Sequence, residues 1–162
     1  MSVEVVRTPR HYFFGRRCRG FTLLELMAAI GVAALLAAVA IPSYRKIMDD
    51  QKTRGAIGDI GRIAMILDRY RVGHDTLPGS LSQLSGIPAA DPWGHPYEYL
   101  NLLNPNGGTA RKDHNLHPIN TFFDLYSKGP DGDSNAPLTA HASRDDIIYA
   151  NDGQFVGIAA DY

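Results

Sequence analysis

The sequence has little of what usually marks a catalytic or redox protein. Among 162 residues there is one cysteine, Cys18, so no disulfide can form within the chain. Neither CxxC nor HExxH occurs, which removes common signatures of thiol and zinc chemistry. No internal repeat is visible. Sixteen Lys and Arg face 17 Asp and Glu, for a formal net charge of −1. That balance suggests no nucleic-acid partner. No Ser/His/Asp or Cys/His arrangement stands out, and pairing Asp124 or Asp131 with His114 gives no spacing that demands chemistry. Glycine and proline are plentiful, at 16 and 10. Most follow Val72, which predicts a turn-rich C-terminal part with short strands.

The N-terminal part is the opposite. Phe21 to Ile41 is a run of 21 residues with one formal charge, Glu25. As a helix it would span about 30 Å, the thickness of a bilayer core. Arg7, Arg10, Arg16, Arg17 and Arg19 precede it, opposed only by Glu4. Basic residues on that side hold it in the cytoplasm, so the remainder is expected outside. A cleaved secretory signal is disfavoured, because the apolar run is long and no small-residue cleavage site stands before Arg45-Lys46. A plain anchor explains the length and the arginines. It does not explain Glu25, since a carboxylate in hydrocarbon costs a few kcal/mol unless it is used.

Gly20-Phe21-Thr22-Leu23-Leu24-Glu25, taken as one unit, resembles the class III signal of type IV pilin-like proteins. There a basic leader ends in Gly, Phe follows, and Glu stands fifth in the mature chain. The resemblance implies cleavage between Gly20 and Phe21 by a prepilin peptidase, N-methylation of Phe21, and delivery to an inner-membrane assembly platform. It also gives Glu25 a use. Cleavage would leave an α-amino group on Phe21, and the acid of one subunit can pair with the amine of the next. A paired buried charge is tolerable where a lone one is not, and it fixes register. Pro42 fits the same family, whose long helix usually bends or loosens there.

From Ser43 to about Arg71 the pattern remains helical. Ile57, Ile60, Ile63 or Ala64, Leu67 and Tyr70 recur at steps of three and four, which makes one apolar stripe for packing against a domain. The charges fall mostly off it, on a face for solvent or neighbouring subunits. Gly55, Gly58 and Gly61 weaken the helix and allow close neighbours, and Gly73 is a candidate C-cap.

Beyond it, a short helix is expected near Ser80–Leu84, with Ser80 as N-cap. Asp91-Pro92-Trp93-Gly94-His95-Pro96-Tyr97 is a turn whose Trp93, with Tyr97 and Tyr99, can cap a core. It resembles the DPWG-x-P-Y element of the G-type major pseudopilins of type II secretion. Asn104 to Asn120 is a loop, and its His114 and His117 read as surface residues. Phe122 to Tyr126 reads as a strand and Gly129-Pro130-Asp131-Gly132 as a tight turn. Ile147 to Ala150 and Phe155 to Ala159 form two strands joined by Asn151-Asp152-Gly153.

The segment Ser127 to Gly132 and the later Asp145-Asp146-Ile147-Ile148 also resemble the major pseudopilins, whose corresponding loop binds calcium. The resemblance implies ligation by the Lys128 carbonyl, Asp131 and one or both of Asp145 and Asp146, with Asp133 and Asn135 as further candidates. Asp131-x-Asp133-x-Asn135 mimics the opening of an EF-hand, but Ala136 and Ala142 stand where that motif needs its glycine and its closing glutamate. Bound calcium would staple a domain that has no disulfide.

The expected fold is therefore α+β and pilin-like: a long N-terminal helix packed on a three- to four-stranded antiparallel sheet. The expected divisions are a cleaved leader (1–20), a hydrophobic membrane and filament-core helix (21–42), an amphipathic continuation (43–72) and a globular domain (73–162). The expected function is structural and not enzymatic: a subunit of a periplasmic pseudopilus that polymerises with copies of itself and with minor pseudopilins. The alternatives are a type IV pilus subunit, for adhesion, motility or DNA uptake, and a membrane-anchored ligand-binding or enzymatic domain.

Overall fold

The computed structural model describes residues 20–104 and 108–162. The basic leader expected over 1–20 lies outside them, apart from Gly20. One long helix, α1 (Leu23–His74, 52 residues), contains Pro42. The chain divides there into two units, the first ending at Pro42 and the second running from Ser43 to Tyr162.

In the first unit every described residue is exposed. Phe21, Leu23 and Leu24 are 86%, 77% and 77% exposed. Among the described residues α1 is the one helix long and apolar enough to cross a membrane.

The second unit builds a core. Ala56, Ile60, Ile63, Ala64 and Leu67 of α1 are buried, while Ile57 and Tyr70 are half-buried. The apolar stripe thus packs as its spacing predicts, with Ala56 added. Gly55 lies against Pro92, whereas Gly58 and Gly61 face open space. Gly73 does not cap α1: the helix runs on to His74, and Asp75 takes the left-handed conformation after it (φ 52°). A short polar side chain tolerates that region, so glycine is not required.

The sheet is a four-stranded meander in the order β1 (Glu98–Asn101), β2 (Phe123–Ser127), β3 (Ile147–Ala150), β4 (Phe155–Ile158). All neighbours are antiparallel, with Tyr99 opposite Leu125, Tyr126 opposite Ile148 and Ile148 opposite Gly157. Alternate residues point to opposite faces. Phe123, Leu125, Ile147 and Tyr149 join the helix core, which Trp93 and Tyr99 flank. Ile148 and Ala150 turn the other way, into a second cluster with Ile119, Leu138 and Ala159. Both faces of β3 are therefore covered, which accounts for its unbroken apolar run. The rings of Phe123 and Tyr149 stack with centroids 4.9 Å apart.

The expected helix near Ser80 is a single 3₁₀ turn, Leu81–Gln83, capped by the Ser80 side chain on Ser82 N. At the β3–β4 hairpin Asn151 and Asp152 both have φ 52° and Gly153 has φ 99°. These are the positive-φ positions that the Asn-Asp-Gly sequence favours.

Candidate functional site

Two places carry the chemistry predicted from sequence, one in each unit. The first is the start of α1. Glu25 stands in its first turn, where a negative charge suits the helix N-terminus. Its Oε2 accepts hydrogen bonds from the Thr22 backbone N and from Thr22 Oγ1, each at 2.9 Å. In return, Glu25 N donates to Thr22 Oγ1 at 3.2 Å. This is a reciprocal capping box. The Thr-x-x-Glu spacing announces it in the sequence, where the motif reads for processing and subunit pairing and its capping role goes unnoticed. Gly20 and Phe21 precede the helix and are exposed, so the bond between them lies in a non-helical, accessible stretch.

The second place is the acidic turn after β2. It is pinned from the Asp91 side. The buried Asp91 Oδ1 accepts from Trp93 N at 3.0 Å and His95 N at 2.8 Å, and Oδ2 accepts from Ser127 Oγ at 2.5 Å. Gly129 N donates back to Ser127 Oγ at 3.1 Å, and the His95 ring meets the Gly129 carbonyl at 3.1 Å. The two segments that carry the pseudopilin resemblance are thus stitched to each other. Gly129 has φ 65°, and a Cβ there would lie 2.3 Å from the Asp145 carbonyl oxygen. Only glycine fits both the turn and that approach.

The four side chains expected to hold calcium, Asp131, Asp133, Asp145 and Asp146, do not gather as one group. Asp131 and Asp133 are exposed on the turn. Asp131 Oδ1 accepts from Asp133 N, and Asp133 Oδ1 from Ser134 N, each at 2.9 Å. The Lys128 ammonium pairs with Glu98 at 2.7 Å, and that hydrogen bond raises its pKa. The Asp145 carboxylate stands beside Gly129. Asp146 is fully buried and engaged elsewhere: its Oδ2 accepts from Arg111 Nη2 at 2.5 Å and from Ser134 Oγ at 2.6 Å. Burial pushes the Asp146 carboxyl up to about 6, against the pull of Ser134 and Arg111. Among the described residues no three His, Cys, Asp or Glu side chains gather as a metal-holding group. Calcium asks for six to eight oxygens at about 2.3–2.6 Å. As arranged here, these side chains do not form that shell.

The buried polar groups around Asp146 were not read from sequence. Arg111 is 3% exposed. Its backbone N donates to Asp124 Oδ2 at 2.6 Å, its Nη1 to Ser134 Oγ, and its guanidinium carbon lies 4.2 Å from the centre of the Tyr126 ring. Asn120 Nδ2 bridges Asp124 Oδ1 (3.0 Å) and the Tyr149 carbonyl (2.8 Å). Burial raises the Asp124 pKa. Arg111 sits in a loop rich in turn residues, where a cation reads as solvated. The one available hint was Asp124 itself, a charge inside an apolar strand.

Among the described residues the two hydroxyls bonded to carboxylates here, Ser127 on Asp91 and Ser134 on Asp146, tie loops to strands, and Ser127 is fully buried; a cavity of about 380 Å³ elsewhere is lined by Leu81, Leu84, Ile87 and Tyr97. Comparison with known proteins agrees with a structural part. Residues 15–41 match the prokaryotic N-terminal methylation motif. The chain is 32% identical over 138 residues to the type II secretion system core protein G of Pseudomonas aeruginosa, covering 72% of this chain and 87% of that protein. It is 30% identical over 139 residues to the protein of the same name from Pectobacterium carotovorum, covering 73% and 80%. The match to that of Escherichia coli K12 is 29% over 136 residues, covering 71% and 83%. No solved structure matches. A methylation motif on an apolar helix, followed by a helix-on-sheet domain shared along most of its length with these core proteins, places the chain in the type II secretion system core protein G family, the major pseudopilins.

Proposed function

We propose that the chain is a structural subunit of a periplasmic pseudopilus that drives protein export by type II secretion. A prepilin peptidase removes residues 1–20 at the cytoplasmic face, and Phe21 is N-methylated. The mature chain waits in the bacterial inner membrane as a single-pass protein, with its C-terminal domain in the periplasm. The assembly platform then adds it to a filament of like subunits and minor pseudopilins. Nothing in the sequence resembles a nucleotide site, so the work comes from a separate cytoplasmic ATPase.

The observation that carries this reading is the start of α1. An acid is set in the first turn of a helix whose apolar side chains are all exposed up to Pro42. Such a surface needs lipid or neighbours around it. The capping box holds Glu25 while the chain is single. In a filament the amine of an adjacent Phe21 supplies the opposite charge, and Pro42 lets the packed helices adjust.

Mass spectrometry of the protein from its native membrane tests the processing. The expected mass begins at methylated Phe21, and a mature chain that keeps residues 1–20 overturns the reading. Glu25→Val tests assembly. The variant is expected to insert in the membrane as usual and to lose filament formation and cargo release. Normal filaments from that variant would sink the role given to Glu25. Unimpaired cargo export in a strain lacking the chain, with loss of surface pili instead, would turn the reading toward a type IV pilus.

A further inference from the structure

The acidic turn already contains a cation, and it is covalently part of the chain. Arg111 reaches it from a loop that is itself anchored. Lys112 N donates to the Ala136 carbonyl (3.0 Å), Leu138 N to the Lys112 carbonyl (2.9 Å), and Ile119 N to the Arg111 carbonyl (3.1 Å). The guanidinium then joins Ser134 of the turn to Asp146 at the entrance of β3, and Ser134 Oγ closes the triangle on the same carboxylate oxygen. Next along the turn, Asn135 N donates to Ser143 Oγ at 2.9 Å and Ser143 Oγ donates to the Asn135 carbonyl at 2.7 Å. The turn, the bridge that follows it and the strand entrance are therefore tied together by protein atoms.

We infer that Arg111 takes the structural role that the family resemblance assigns to calcium, so that its guanidinium, and not a bound metal ion, holds the acidic turn 131–135 on the start of β3. Two observations carry this. Asp146, the one fully buried acid of the expected ligand set, is spent on Arg111. Asp131, Asp133 and Asp145 are not gathered around it, and Arg144, exposed, adds a second cation to the same bridge. Asp146 Oδ1 has no hydrogen-bond partner, but an ion seated there would share its carboxylate with the guanidinium on Oδ2, and like charges in a buried site repel. The inference does not depend on whether the chain polymerises.

The test uses the full chain in detergent micelles, with thermal unfolding followed by Trp93 fluorescence. With excess EGTA and with millimolar calcium chloride, the melting temperatures are expected to agree within about 1 °C. A rise of roughly 5 °C or more with calcium is what a site bound well above its dissociation constant would give, and it would overturn the inference. Arg111→Met is expected to lower the melting temperature by roughly 10 °C, because it strands a buried carboxylate. Adding Asp146→Asn to that variant is expected to recover a good part of the loss. A merely space-filling role for Arg111 would show no such recovery, and its absence counts against the inference. Should Arg111→Met fail to fold, the calcium and chelator comparison on the unaltered chain decides alone.

Discussion

The two ends of α1 solve opposite problems with the same kind of helix. Up to Pro42 the apolar residues cover all sides and every one is exposed. From Ala56 on, one stripe turns inward, with Ile60, Ile63 and Leu67 wholly buried in the core they share with the sheet, while Met65 and Val72 stay outside it. The second region draws its stability from its own chain. The first has nothing of its own to pack on and takes stability from whatever surrounds it. A single acid in the first region is held by one threonine, whereas the buried acids of the second, Asp91, Asp124 and Asp146, sit in a net of donors from several segments. The same residue type is thus kept exchangeable in one place and fixed in the other.

That contrast can be broken in graded steps. The largest effect is expected from Phe123→Ala, which removes a ring with 1% exposure stacked on Tyr149. It should cost about 3–5 kcal/mol, read by chemical denaturation, with membrane insertion unchanged. Asp91→Ala should come next. It strands Ser127 Oγ and two backbone donors of the turn, for a loss of about 2–4 kcal/mol on the same measurement. Gly129→Ala forces a side chain into the left-handed region and onto the Asp145 carbonyl, at roughly 2 kcal/mol or more. The smallest effect belongs to the first region. Thr22→Ala removes half of the capping box and should cost about 1 kcal/mol of local helix stability. Amide exchange of the first turn in micelles would register it, while the melting of the globular unit stays put. If Thr22→Ala lowered that melting as much as Asp91→Ala, the independence of the two regions would be wrong.

What could be read in advance follows the same divide. The membrane run, the Glu25 motif and the stripe of Ile60, Ile63 and Leu67 were legible because period and composition act locally. Three of the four strands were legible from short apolar runs between turn residues, as at Ile147–Ala150. The part that escaped is polar and non-local. Arg111 is 13 residues from Asp124 and 35 from Asp146. No local pattern tells that a loop arginine will be swallowed while Asp131 and Asp133, in a more suggestive spacing, stay on the surface. Gly73 failed as a cap for a related reason: Asp75 could do the same backbone job.

The open sides of the sheet carry a last consequence. β1 and β4, its outer strands, are each four residues long. β1 opens with a carboxylate tied to Lys128 and closes with an amide bonded to the Leu77 carbonyl, while β4 runs straight into a 3₁₀ turn at Ala159–Asp161. Rims so short and so busy give a foreign strand almost nothing to zip onto. Molecules of this kind can be crowded shoulder to shoulder without their sheets fusing, which keeps any stacking of them orderly and capable of being undone.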